Sequence, residues 1–347
     1  MSRNREGLKE LEAKMLVRSG RETPPVDIIY IIGRKKSIEL FSWLTATLHL
    51  RLNPSRIRRY SPLTMVPYSP RPNINKIGLT ALAMAAVRAQ ESKRLEPLFH
   101  DPFAELLAGP ASSSYQRQAA GRLPGSDPLL EVRTRFFDDF LTEAVGADGL
   151  RQVALLGAGM DARAFRLAWP PSTTLFELEQ ASLLQLKEEL LASVGARPTC
   201  SRLTISLDLV EDESEAKLTA AGFEPNKPAV WLAEGLFHYL EEPTVWKTLR
   251  GPSSLSAPGS LLGADFVNED YFTSTWTKES LEEMERFGAP WRFGTNRPEE
   301  LLAAHGWEAE VIQPGEAGAN FGRWGRRVPP RSLPHLPRFF FVRARLM

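Results

Sequence analysis

A single cysteine, Cys200, stands in a chain of 347 residues, so no intramolecular disulfide can form and thiolate-rich zinc sites are excluded. Histidine is scarce as well. The five present, His49, His100, His238, His305 and His335, lie far apart and form no HxxxH pair that would set two ligands on one helical face, so no metal site is expected. Long apolar runs are missing. The most apolar early stretch, Val26 to Ile32, is cut by Gly33-Arg34-Lys35-Lys36, well short of the ~20 residues a membrane span needs. Arg3, Arg5 and Glu6 lead into a charged helical pattern instead of a signal-peptide core. Charge of one sign is also lacking: 43 basic residues against 42 acidic ones give a formal +1, and attraction to nucleic acid needs a sizeable excess. These absences point to an intracellular, cytoplasmic protein with neither a membrane span nor a nucleic-acid partner.

The charge balance is uneven along the chain. Residues 1–72 hold 14 Lys+Arg against 6 Asp+Glu, which leaves 29 against 36 for the remainder. Within this basic part, residues 53–72 carry Pro54, Pro62, Pro67, Pro70 and Pro72 among arginines, a composition that sustains neither a helix nor a central strand. Residues 1–72 therefore read as a poorly structured basic extension ending in a linker, with an approximate helical stripe at 38–52. Its candidate roles are a targeting arm, a partner-binding arm, or a segment that is not in the mature protein. Residues 73–347 read as one enzyme-like domain.

That domain opens with helices: 77–92, a start at Asp101-Pro102, and 131–145. An apolar run, Gln152 to Leu156, follows and ends in Gly157-Ala158-Gly159, as a buried parallel strand does. Strands are expected at 174–179, 203–207, 229–233 and 261–266, separated by helices at 161–168, 181–194, 212–221 and 242–250. A late helix at 298–304, a Gly306-Trp307 turn and a final strand at 338–344, plausible as an antiparallel edge, complete the pattern. Alternation of this kind gives an α/β fold, a doubly wound and mostly parallel sheet.

In such a sheet ligands bind at the carboxyl ends of the strands. Glycines 157 and 159 permit close backbone approach. The strict GxGxxG fingerprint is not met, because Ala162 stands at its third glycine, so the turn does not choose between cofactors. The second strand ends Glu177-Leu178-Glu179, about 20 residues on, where a carboxylate can accept both hydroxyls of a ribose; Glu179, nearer the tip, is the better placed. Asp208 after the third strand fits either the adenine amine or a helix N-cap. Glu234 after the fourth could meet the ammonium of an amino-acid-like cofactor.

These stretches resemble the leucine carboxyl methyltransferase family, specifically its bacterial branch of S-adenosyl-L-methionine-dependent methyltransferases. The resemblance rests on Arg88-Ala89-Gln90-Glu91-Ser92 with Asp101-Pro102-Phe103-Ala104; Val132-Arg133-Thr134-Arg135-Phe136-Phe137-Asp138; Gly157-Ala158-Gly159-Met160-Asp161-Ala162-Arg163; Ala220-Ala221-Gly222-Phe223-Glu224-Pro225; and Ala233-Glu234-Gly235-Leu236 with Tyr239-Leu240. It spans about residues 74–345. It implies a Rossmann-like class I methyltransferase fold and S-adenosyl-L-methionine as cofactor. By the same resemblance Arg133 holds the methionine carboxylate, Gly157 is the motif glycine, Glu179 the ribose acid, Asp208 and Leu209 flank adenine, Glu234 contacts the methionine end, and Tyr239 stands near the transferred methyl as candidate catalytic residue. Two departures stand out: Glu177-Leu178-Glu179-Gln180-Ala181 where the family has Glu-Val-Asp-Gln-Pro, and Asp208-Leu209-Val210 where it has Asp-Leu-Arg.

The expected chemistry is O-methylation of a carboxylate or hydroxyl by in-line transfer, the acceptor being a small molecule or a protein carboxylate. A hydroxyl would need a base, for which Tyr239 and His238 are the neighbours; in an extended segment His238 would face away from Tyr239. Aromatic residues of the 271–293 region (Tyr271, Phe272, Trp276, Phe287, Trp291, Phe293) read either as an acceptor pocket or as an ordinary lid or core helix. The alternatives are a nicotinamide-dependent oxidoreductase and a non-catalytic cofactor-binding or interaction protein.

Overall fold

The computed structural model describes residues 74–109 and 128–347; the expectations for residues 1–73, and the boundary placed at 72/73, lie outside the described residues. Seven strands form one sheet: β1 (Gln152–Leu156), β2 (Thr174–Glu179), β3 (Ser201–Ser206), β4 (Ala229–Ala233), β5 (Leu261–Val267), β6 (Trp307–Ile312) and β7 (Phe339–Leu346). Their order is β3-β2-β1-β4-β5-β7-β6. The first five run parallel, while β7 is antiparallel to both β5 and β6.

Both faces of this sheet are covered, which explains why the central strands read as unbroken apolar runs. Alternate side chains separate onto the two sides. Val153, Leu155, Leu175, Val230 and Leu232 join one core cluster; Ala154, Leu156, Phe176, Trp231 and Ala233 join the other. The first face is packed by α1 (Lys76–Ser92), α3 (Leu129–Gly146) and α5 (Ala181–Ser193), with the short α2 (Ala104–Ala108) and α4 (Arg163–Arg166) beside them. The opposite face takes α6 (Ser214–Ala220), α7 (Glu242–Leu255) and α10 (Pro298–Ala303). Two further helices, α8 (Asp270–Thr273) and α9 (Lys278–Phe287), follow β5. No described helix is long and apolar enough to cross a membrane.

Several boundaries depart from the sequence reading. Trp307 is not part of a turn; it opens β6, its indole N–H donating to Ser253 Oγ at 2.8 Å. The last strand is accordingly not an edge, because β6 lies outside it. Helix α7 continues past residue 250 and carries Pro252 in its interior, where Gly251 and Pro252 are both buried. Asp101 does not cap α2. Its Oδ1 accepts the N–H of Phe103 at 3.1 Å and its Oδ2 accepts from Arg88 at 2.9 Å.

Strand order reverses in the middle of the sheet: β2 and β3 lie to one side of β1, and β4 and β5 to the other. This switch point opens a crevice between the tips of β1 and β4. Helix α3 lines it through Leu130, Arg133 and Thr134 and is held on the sheet by Phe136, Phe137, Phe140 and Leu141, all buried, each contributing about 1.5–3 kcal/mol. Gly263 in β5 permits that docking, since a Cβ there would lie 2.7 Å from Phe140 Cε1 and 3.2 Å from Leu232 Cδ1. We predict that Gly263→Ala destabilises the fold by about 1–3 kcal/mol through overpacking, read as a lowered urea midpoint at unchanged slope. An unshifted midpoint would mean that α3 rides loosely on the sheet.

Candidate active site

The tip of β1 turns sharply. Gly157 and Gly159 have φ of +64° and +48°, a left-handed backbone that other residues avoid. A Cβ on Gly157 would sit 2.9 Å from Leu236 Cδ1, and one on Gly159 3.0 Å from Ala81 Cβ. The turn is pinned to β2, where Ala158 N–H donates to Leu178 O at 3.1 Å and Gly159 N–H to Glu179 Oε2 at 2.8 Å. Glu179 Oε1 accepts Gln180 N–H at 2.7 Å, so the glutamate folds back on its own strand end. Burial pushes its carboxyl above the ordinary range, against the pull of these two backbone N–H groups. Glu177 is committed elsewhere: fully buried, it accepts from Lys187 at 2.7 Å and from Arg202 at 2.9 and 2.7 Å.

Across the switch point, α3 delivers Arg133 between two acids. Its Nε donates to Glu234 Oε1 at 3.1 Å and its Nη1 to Asp265 Oδ2 at 3.1 Å. Asp265 also accepts Gly235 N–H at 2.6 Å, which fixes the turn after β4. Gly235 has φ of +67°, and a Cβ there would lie 3.2 Å from the Arg133 guanidinium. Glu234 Oε2 meets Arg163 Nη1 at 2.8 Å. Arg163 in turn pairs with Asp161 and with Asp138, the latter at 2.7 Å, and Arg166 reaches Asp138 at 2.6 Å. All these groups are buried or nearly so, and the chain of opposite charges overrides the cost of desolvation: Arg133 and Arg163 are both held above their ordinary pKa.

Arg133, Gly157, Gly159, Glu179, Asp208, Leu209, Glu234 and Tyr239 all line one cavity of about 830 Å³. The structure thus brings together every site residue expected from the sequence. Asp208 does not cap a helix; its Oδ1 accepts Val210 N–H at 2.9 Å. The segment after Glu234 is not extended either. Phe237–Tyr239 forms a turn of 3₁₀ helix, so His238 and Tyr239 stand side by side with ring centres 4.4 Å apart, and both line the cavity. Of the aromatic residues at 271–293, Tyr271 and Trp291 reach the cavity, whereas Trp276 is 76% exposed. Asp265, Arg163 and Asp138 were not legible as members of this site, although a lone aspartate inside the apolar run of β5 is itself a signal.

Asp161 offers a pH test of the ion network. Burial works to raise its pKa, but Arg163, then Lys187, Arg166 and Arg88, prevail and bring it down to about 2. Its contribution to stability is complete above the ordinary aspartate value near 3.8 and is lost as pH falls through about 2. The stability gap between the wild-type chain and Asp161→Asn should therefore be widest above pH 4 and close towards pH 2, measured by urea unfolding at a series of pH values. A gap constant over that window would contradict the pairing.

Comparison with known proteins identifies the family. The family model described as leucine carboxyl methyltransferase matches residues 81–252. A Mycolicibacterium vanbaalenii protein named "Putative S-adenosyl-L-methionine-dependent methyltransferase" is 35% identical over 267 residues, covering 70% of this chain and 87% of its own. A protein of the same description from Frankia alni is 40% identical over 258 residues, 71% of this chain and 89% of its own. Among solved structures, that of a DUF574 family protein from Streptomyces avermitilis superposes with a TM-score of 0.52 over 76% of this chain and 97% of its own; at 13% identity the likeness is one of fold. With the family model and the two relatives in agreement, the chain belongs to the leucine carboxyl methyltransferase family, on the branch represented by these bacterial proteins.

Proposed function

We propose that this S-adenosyl-L-methionine-dependent methyltransferase transfers its methyl group to an acceptor oxygen by direct in-line displacement. The observation that carries the reading is the convergence of four strand tips, those of β1, β2, β3 and β4, on one cavity. Its volume of about 830 Å³ lies near the top of the roughly 300–1,000 Å³ range of small-molecule sites, which accommodates a cofactor together with an acceptor.

The residues fit the cofactor part by part. Glu179, desolvated and still owning free lone pairs after its two backbone bonds, suits the two ribose hydroxyls; folding back on the turn absorbs the extra methylene that distinguishes it from the family's aspartate. Asp208 and Leu209 take the adenine end. Gly157 and Gly159 let the chain approach closely. Arg133 faces the methionine carboxylate, its Nη2 meeting only the sulfur of Met84 at 3.7 Å, while Glu234 offers the ammonium its remaining lone pairs. When bound, the cofactor supplies an electrophilic methyl on a sulfonium centre. The protein then contributes mainly orientation and the exclusion of water, with Tyr239 on the wall next to Arg133. A nicotinamide cofactor would leave Arg133 and Glu234 without an amino-acid end to recognise.

Three outcomes follow. S-adenosylhomocysteine binds in calorimetry while NAD does not, and Glu179→Ala weakens that binding by about 10- to 100-fold, the worth of hydrogen bonds to a charged acceptor. Arg133→Met abolishes it. Binding of NAD in preference, or an unaltered affinity in Glu179→Ala, would overturn the assignment.

A further inference from the structure

Beside Arg133 the cavity changes character. Its wall there is made of His238, Tyr239, Tyr271, Met284, Trp291 and Phe339. The rings form one contiguous set: Trp291 lies 4.3 Å from His238, 5.2 Å from Tyr271, 6.0 Å from Phe339 and 6.3 Å from Tyr239, centre to centre. Two polar atoms are stranded among them. His238 Nδ1 and Trp291 Nε1 are both buried without a hydrogen-bond partner, in a residue (His238) only 3% exposed. A stranded buried polar atom is costly, so a ligand that pairs with both recovers that cost on binding.

Charge decides what kind of ligand this is. Among the described residues the basic side chains lining the cavity are Arg88, Arg133 and Arg163, and each already pairs with an acid: Arg88 with Asp101 at 2.9 Å, Arg133 with Glu234 and Asp265, Arg163 with Asp138, Asp161 and Glu234. A carboxylate brought to the aromatic end would be desolvated without a cation of its own. A hydroxyl is neutral, and it both donates and accepts. It can give its proton to the lone pair of His238 and take a hydrogen bond from the indole N–H of Trp291. The flat faces around it suit an aryl ring.

Resting on the methyltransferase reading above, the geometry points to an aromatic hydroxyl as the methyl acceptor, with His238 Nδ1 as the group that receives its proton. The acceptor oxygen forms its bond to the methyl carbon as the carbon–sulfur bond breaks and that electron pair stays on sulfur. The hydroxyl proton passes to Nδ1, and the imidazolium gives it up to water after the product leaves. Burial first, and then the charge of Arg133, hold the His238 pKa down to about 3. The imidazole is therefore neutral and ready to accept at neutral pH. So weak a base does not deprotonate a free phenol in advance, and the transfer accompanies methylation, because an oxygen that gains a third bond while still carrying its proton becomes an oxonium, a far stronger acid than an imidazolium.

The test uses the full chain, labelled S-adenosyl-L-methionine and a panel of ring-matched pairs: phenol and benzoate, 2-naphthol and 2-naphthoate, with tricyclic counterparts. Label is expected on aryl hydroxyls and not on the paired carboxylates. His238→Phe, which keeps the ring packing, should lower hydroxyl transfer by about 10²-fold or more, while S-adenosylhomocysteine affinity stays within about twofold. His238→Asn, which keeps an acceptor atom near the Nδ1 position, should fall between. Transfer to carboxylates only, to no hydroxyl in the panel, or at the full rate in His238→Phe overturns the inference. The panel is read on the unmodified chain, so it stands even if a variant folds poorly. Absence of S-adenosylhomocysteine binding would instead sink the underlying reading, which separates the two failures.

Discussion

Arg133 carries its charge in a place almost closed to water, held by Glu234 from the tip of β4 and Asp265 from β5. A buried guanidinium between two acids is weak evidence for stability, since desolvation consumes most of the Coulombic gain. What it supplies is geometry. The planar fork reads two carboxylates at once, and through Glu234 it is continuous with Arg163, Asp138 and Arg166. Helix α3 is thereby fastened to the carboxyl ends of the strands at the point where strand order reverses. Removing Asp265 would leave Arg133 with Glu234 as its one remaining acid and would also free the Gly235 turn.

From that anchor the two ends of the cavity acquire opposite characters. Towards β1, β2 and β3 the wall is backbone and carboxylate: the left-handed glycine turn, Glu179 held by two amides, Asp208 on its own loop. Such a surface recognises hydroxyls and amines. Towards α8, α9 and β7 it is aromatic, with no unpaired cation among the described residues. On the proposed reading the reacting centre falls where these surfaces meet, beside Arg133 and Tyr239, so a polar ligand and a flat one can meet with little water between them.

Much of the parallel sheet could be read from the chain because buried parallel strands leave a strong local trace: β2 and β4 end where the apolar runs at 174–179 and 229–233 end. Strand β6 escaped notice although Trp307, Ala309 and Val311 alternate with Glu308 and Glu310, because Gly306 before it reads as a turn. Pro252 concealed the last turn of α7 for a similar reason. Glu179 could be preferred to Glu177 by position alone, but the physical ground, that Lys187 and Arg202 hold Glu177, is tertiary. Asp265 and Asp138 lie far in sequence from the arginines they hold, and no local pattern announces such pairing. The side-by-side placement of His238 and Tyr239 depended on a 3₁₀ turn where an extended segment had been the simpler assumption.

On the proposed reading the strand tips grip S-adenosyl-L-methionine within a single cleft. Hydrogen–deuterium exchange of the full chain with and without S-adenosylhomocysteine tests it most directly. Slowed exchange is predicted together in residues 157–163, 179–180, 208–210 and 234–240, at the ends of four separate strands, β1 to β4. Protection confined to one of these segments, or located away from all of them, would contradict the account.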